Sequence, residues 1–320
     1  MILIILLGSL ASFLVTLLVT PFLTEFLKKH NIVGKDVHKA SETICAEMGG
    51  LAVLLGFSAG FGIAALLISN FGINLVCGFL TIFLVGCVGI VDDLFVLRQR
   101  HKPFLVALAS FPLIFASLGR QEVWFPFIGP LFLGSFYLIF IPLGVTTASN
   151  MTNMLAGFNG LESGIASISC FALGVVCAFF GKLDCCIIAF ALFAAFLAFL
   201  KYNWYPAKIF PGDTGTLMSG AAIATISILG EVEFAGICTI VPCAIDFALK
   251  MISRQPFSQR RLFGNTQVVD GDFLAPPSYP ALPHAFLRVT SLRERELVLC
   301  LLSMQLIYSF IGVFITIMLK

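Results

Sequence analysis

The chain has 320 residues, of which 59% are hydrophobic and 11% charged, with a mean hydropathy of +1.03; this excludes a soluble domain, where about half the residues are apolar and about a quarter charged. The net charge of +2 makes the distribution of charge matter more than its total, and no nucleic-acid partner is expected. The ten cysteines show no metal-ligand spacing and sit mostly in apolar runs, where a thiol behaves as a small hydrophobe, so no disulfide framework is expected.

Runs long enough to span a bilayer are 2–23, 49–69, 74–91, 104–118, 130–148, 164–180, 185–200, 216–229, 234–252 and 296–319. They predict an all-α polytopic membrane protein of about ten transmembrane helices, with 104–118 and 216–229 the shortest. The first run has no basic residues before it and exceeds a signal h-region, so a retained helix is expected. All nineteen Lys and Arg except Arg120, Lys182 and Lys320 fall in alternate connections. That asymmetry puts the basic loops in the cytoplasm and both termini outside. One integral membrane domain is expected over 1–320, with 253–294 forming a small cytoplasmic cap between the last two helices. Within it "QVVDGDFL" carries a hairpin signal at Asp270–Gly271. The prolines of "APPSYPALPH", at 276, 277, 280 and 283, predict that no regular helix follows.

Polar residues collect on the predicted cytoplasmic side. "GIVDDLFVLRQRHK" ends one apolar run with Asp92 and Asp93 and continues to Lys102. "SNMTNMLAGFNGLE" holds Asn150, Asn153, Asn159 and Glu162; "KYNWYPAKIFPGDTG" holds Lys208, Phe210 and Asp213; "GKDVHK" precedes them all. Carboxylate and amide oxygens suit Mg²⁺, lysines offset phosphate charge, and Phe210 can stack on a flat base. Such parts suit phosphoryl transfer, which depends on positioning and charge neutralisation. Each element also has a plainer reading. Paired aspartates can be an interfacial flank, the asparagines turn chemistry, and Trp204 and Tyr205 an aromatic belt. Asp246 and Lys250, four residues apart, serve either a structural pair or a site.

"VDDLFVLRQRHK", "NMLAGFNGLE" and "YNWYPAKIFPGDTG", in that order after "GKDVHK", resemble the polyprenyl-phosphate N-acetylhexosamine-1-phosphate transferases, most of all the eukaryotic and archaeal branch that uses UDP-GlcNAc and dolichyl phosphate. The resemblance implies ten spanning helices and a cytoplasmic site. It implies transfer of GlcNAc-1-phosphate from UDP-GlcNAc to a polyprenyl (dolichyl-type) phosphate, with release of UMP, as the first step of lipid-linked glycan assembly. Mg²⁺ is the implied cofactor, with Mn²⁺ an alternative. By motif match Asn153 and Asp213 hold the metal, Asp92 and Asp93 organise the acceptor phosphate, and Lys102 binds phosphate. Phe210 stacks on uracil, Asn159 helps hold the uridine, and Val37 and Glu47 lie near the donor. Arg260 and Arg261 stand in for the arginines that contact the donor. Three features depart from the family: Val96 stands where a further Asp or Asn is common, the bacterial paired histidines are absent, and the eukaryotic arginine–histidine–arginine cluster that contacts the donor is not plainly present. The donor can therefore be another UDP-N-acetylhexosamine or a muramyl-type sugar. A secondary transporter is the alternative from another class. The expected partners are the nucleotide sugar, the lipid phosphate and the bilayer, with a homodimer left open. An archaeal plasma membrane is favoured over endoplasmic reticulum.

Overall fold

The computed structural model describes residues 2–39, 43–68, 72–252, 266–269 and 272–320. In chain order it contains α1 (Ile2–Lys29), β1 (Val33–Asp36), β2 (Thr43–Ala46), α2 (Gly50–Leu67), α3 (Ile73–Phe95), α4 (His101–Ala109) and α5 (Phe111–Ala116). There follow β3 (Glu122–Phe125), β4 (Gly129–Phe132), α6 (Tyr137–Met154), α7 (Leu161–Phe179), α8 (Leu183–Asn203), α9 (Gly212–Gly230) and α10 (Glu233–Ile252). The chain closes with β5 (Gln267–Val269), β6 (Phe273–Ala275), α11 (Leu282–Val289) and α12 (Glu294–Leu319). A helix satisfies its backbone groups internally, which is what lipid demands. Seven of the described helices are long and apolar enough to cross a membrane: α1, α2, α3, α7, α8, α10 and α12. The protein is a mostly helical, polytopic membrane protein.

Two of the remaining three predicted spans differ from their expectations. The run 104–118 divides into α4 and α5 at Ser110, with Pro112 in the first turn of α5. The run 130–148 becomes helical only at Tyr137, because Gly129–Phe132 pairs with Glu122–Phe125. Left-handed Phe127 and Gly129 close that hairpin, which an unbroken apolar run conceals. The third, α9, is buried at every residue from Thr214 to Gly230. It lies at the centre of the bundle, against α2, α3, α6, α7, α8 and α10.

Small residues bring these helices together, as expected where lipid offers no hydrophobic drive between them. Helix α1 turns Ser12, Thr16 and Thr20 inward and leaves Leu6, Leu10, Leu18 and Phe22 exposed. Its inner face meets Gly56 and Gly60 of α2, where a Cβ would stand 1.9 Å from Thr16 Oγ1 and Ser12 Oγ respectively.

Residues 266–269 and 272–294 pack as a cap over the 155–160 loop, burying Leu274, Leu282 and Leu287 with Leu155, Phe158 and Leu301. Its hairpin pairs Val269 with Phe273, as the turn signal predicts, although residues 270 and 271 lie outside the described residues. The expectation that prolines prevent a helix fails at α11. Pro283 sits in its first turn, where a missing N–H costs nothing because no intrahelical acceptor awaits it.

Candidate active site

Four helix ends and one hairpin meet at the start of α9. Asp92 and Asp93 come from the last turn of α3, Lys102 from the first turn of α4, Asn153 from the last turn of α6 and Asp213 from the first turn of α9. The β1–β2 hairpin is stitched to the segment before α9: Phe210 N donates to Ala46 O at 2.8 Å, Gly49 N to Phe210 O at 2.8 Å, and Gly50 N to Pro211 O at 2.7 Å.

Lys102 is the electrostatic centre. Its Nζ lies 2.8 Å from Asp92 Oδ2 and 3.1 Å from Asp213 Oδ1, and donates to Asn153 Oδ1 at 3.2 Å. Asp92 and Lys102 are both buried. Asn153 Nδ2 donates to Asp213 Oδ1 at 2.5 Å and to Thr216 Oγ1 at 2.7 Å. A cationic group is thus already bracketed by three hard oxygens from three helices. That donor set fits a magnesium-like ion, with Asp213 Oδ1 and Asn153 Oδ1 both already facing the cationic group. Asn153 oxygen and nitrogen differ only in their assigned hydrogen bonds.

Asp93 does something the sequence does not announce. One carboxylate oxygen accepts from Asp213 N at 2.7 Å, and the other from Thr214 N at 3.0 Å and Thr214 Oγ1 at 2.6 Å. It caps the N-terminus of α9, whose free N–H groups favour an anion, and so places Asp213.

Val96 ends α3 with φ 51°, a left-handed conformation that a β-branched residue adopts at a cost. Its N–H donates to Asp92 O at 2.9 Å, and Leu97 N to Asp92 Oδ1 at 2.7 Å. Asn tolerates this conformation, so Val96→Asn is expected to stabilise the protein by about 1 kcal/mol, read as a raised Tm in detergent. An unchanged or lower Tm would remove the strain.

These groups line a cavity of about 530 Å³. Asp92, Asp93, Lys102, Asn153, Asp213 and Thr216 form one side, and Val37, Glu47 and Phe210 also face it. The structure therefore brings together eight of the residues given roles by the motif match. Asn159 is placed differently: it is buried behind the cavity wall at 2% exposure. Its Nδ2 donates to Asp36 Oδ2 at 3.0 Å and Glu294 Oε2 at 3.5 Å, and its backbone N to Glu294 Oε1 at 2.7 Å. Arg260 and Arg261 lie outside the described residues.

Asp36, His38 and Glu294 present potential ligand atoms within 4.8 Å of one another. The two carboxylates are, however, bridged by the Asn159 amide, and Lys39 Nζ stands 2.6 Å from Asp36 Oδ2. Burial pushes the His38 pKa down to about 4 against the pull of Asp36, so the ring is neutral at physiological pH. This cluster is a brace for the wall, with both carboxylates already met by donors. Sequence reasoning passed over Thr216, although its place one turn after Asp213 puts both on one helix face. It also passed over Glu294, which has no local signal because its partner Asn159 lies 135 residues away.

Residues 75–231 match the model of glycosyl transferase family 4. A protein of Sulfolobus acidocaldarius is 32% identical over 97% of this chain and 95% of its own length. One of Saccharolobus solfataricus is 34% identical over 98% and 97%. The chain belongs to glycosyl transferase family 4. Both relatives are named, provisionally, as UDP-N-acetylglucosamine–dolichyl-phosphate N-acetylglucosaminephosphotransferases. A phospho-N-acetylmuramoyl-pentapeptide-transferase of Streptococcus gordonii is 28% identical over 82% of this chain and 85% of its own. The family membership bears out the resemblance carried by the motifs, and the archaeal relatives agree with the branch they indicated.

Proposed function

We propose that this membrane enzyme transfers GlcNAc-1-phosphate from UDP-GlcNAc to a dolichyl-type polyprenyl phosphate, releasing UMP, as the first step of lipid-linked glycan assembly. The observation that carries the reading is Lys102 held among Asp92, Asp213 and Asn153 on the wall of a cavity that Phe210 also lines. The relatives' names support the same reaction class.

The acceptor phosphate monoester carries close to two charges at neutral pH, so it is its own nucleophile and needs no strong base. The difficulty is repulsion between two anions. Mg²⁺ held by Asp213 and Asn153 would neutralise that charge. Lys102 offers a second positive centre at the same point, released from its three oxygens when phosphate arrives. Asp93 orients Asp213 through the helix terminus, while Phe210 offers its ring to uracil and Val37 and Glu47 border the same space. The site lies at helix ends, where the lipid tail can stay in the bilayer and charged groups avoid the cost of mid-membrane burial.

In this reading α4–α5, α6 and α9 join the seven long helices as crossings, the site and the 253–294 cap face the cytoplasm, and the membrane is an archaeal plasma membrane. The charge sorting supports it. Arg120 pairs with Glu233 and Lys182 with Glu231, both at 2.8 Å, and Lys320 reaches the Glu231 carbonyl. All three basic residues set apart by sequence thus gather at the far end of α9, about 26 Å from Asp213 at 1.5 Å per residue.

The test is transfer of label from UDP-GlcNAc to dolichyl or undecaprenyl phosphate by the purified protein with Mg²⁺. Lipid-linked label matched by UMP and lost on chelation is expected. Transfer only from another UDP-N-acetylhexosamine or a muramyl-type donor would change the substrate, and no transfer from any of them would overturn the reaction class. Phe210→Ala is expected to raise KM for the UDP-sugar about tenfold, the worth of a lost stacking contact of roughly 1–3 kcal/mol, with KM for the lipid unchanged. Equal KM values for the nucleotide would remove the stacking.

A further inference from the structure

Asp246 and Lys250 project from α10 and are buried, Asp246 at 0% exposure. Lys250 Nζ lies 2.6 Å from Asp246 Oδ2 and donates to Met154 O at 2.5 Å. Asp246 Oδ1 accepts from Leu282 N at 2.9 Å, at the first residue of α11. One ion pair therefore joins three elements: α10, the C-terminus of α6 and the N-terminus of the cap helix. Met154 is the last residue of α6 and adjoins Asn153.

The 155–160 loop begins at this anchor and ends at another. Lys250 holds the carbonyl just before the loop, and Glu294 accepts from Asn159 N at its far end. Both holders come from the C-terminal part of the chain, on either side of the cap. Lys250 lines a void of about 20 Å³ between the loop and the cap, room for one water and not for a substrate, and it does not line the 530 Å³ cavity. A direct role in the reaction is excluded by that placement.

We infer that Asp246 and Lys250 are a positioning pair that sets Asn153 for metal binding and ties that setting to the docked cap. The last carbonyls of a helix have no intrahelical partner, and a cation there is favourable. Without the ammonium, the last turn of α6 loosens and Asn153 loses its fixed relation to Asp213 and Lys102. Groups that orient a ligand from behind commonly control metal affinity by 10–100-fold. The inference rests on the reading of Asn153 as a metal ligand.

Removing one member alone strands a buried charge, so the variant of choice is the double change Asp246→Asn with Lys250→Met. It removes both charges and keeps an oxygen for Leu282 N. The double change Asp246→Asn with Lys250→Gln is its companion, since it also removes both charges but keeps a donor for Met154 O. Mn²⁺ binding to purified protein would be followed by the electron paramagnetic resonance signal of the free ion, together with kcat and KM. The double variant is expected to fold, bind Mn²⁺ about tenfold more weakly, and lose kcat while KM for UDP-GlcNAc stays within about twofold; the companion with Gln at 250 is expected to keep most of the affinity. Wild-type affinity in the double variant would overturn the inference. So would a double variant that does not fold, or a Gln variant as weak as the double, because the pair would then be a folding element or act by charge alone. Asn153→Ala separates the two readings: unchanged Mn²⁺ binding there removes the ligand itself, whatever the pair does.

Discussion

Asp213→Asn is expected to lower kcat by about a thousandfold, the scale of losing a preorganised charged group at the reacting centre, while the protein folds and the lipid still binds. Asp213 Oδ1 faces both Lys102 Nζ, at 3.1 Å, and Asn153 Nδ2, so it links the cationic and amide halves of the site. The start of α9 does not depend on this side chain, because Asp93 holds the helix through the backbone N–H of residues 213 and 214. The stability loss is therefore small, and the loss of function is electrostatic. Mn²⁺ affinity is expected to fall in parallel. A variant with kcat within tenfold of wild type would take Asp213 out of the site and leave Asp92 as the principal carboxylate.

Gly89→Ala is expected to reduce activity by about a hundredfold, the cost of roughly 1 Å of misplacement, and to lower stability by about 1–3 kcal/mol through overpacking. Helix propensity alone predicts the reverse, because Ala is favoured over Gly by about 1 kcal/mol in a helix interior. Contact decides against propensity. A Cβ on Gly89 would stand 2.4 Å from Thr214 Cα, 2.6 Å from Thr214 N and 2.7 Å from Asp213 O. All three are backbone atoms and cannot rotate away, so α3 and α9 must part. Parting them stretches the bonds from Asp93 to the α9 terminus and displaces Asp213. Gly62→Ala in α2 is the control, since nothing lies within 4 Å of a Cβ there, and it is expected to be neutral or slightly stabilising. Thermal unfolding and the transfer assay on both variants check this. Equal behaviour of the two would show slack between α3 and α9.

The hydropathy runs led directly to seven spans, and their polar ends led to the residues that meet at the cavity. The misses have physical causes. The second strand of the β3–β4 hairpin is apolar and runs on towards α6, so it resembles the start of a helix in composition. The cap helix begins in a proline-rich stretch, and proline is compatible with its first turn.

By itself the sequence determined the membrane class, the order of the polar loops and the sorting of basic residues between the two ends. Those are properties of composition and local order, and they survive without any knowledge of packing. Only the tertiary structure decided which groups touch. It placed Lys102 among oxygens from three helices, set Asp93 as the cap of α9 across 120 residues, and joined Lys250 to Met154 across 96. Such pairings depend on how closely helices approach at Gly89, Gly56 and Gly60. That distance is set by atoms from two distant segments at once, so no local pattern in either segment contains it.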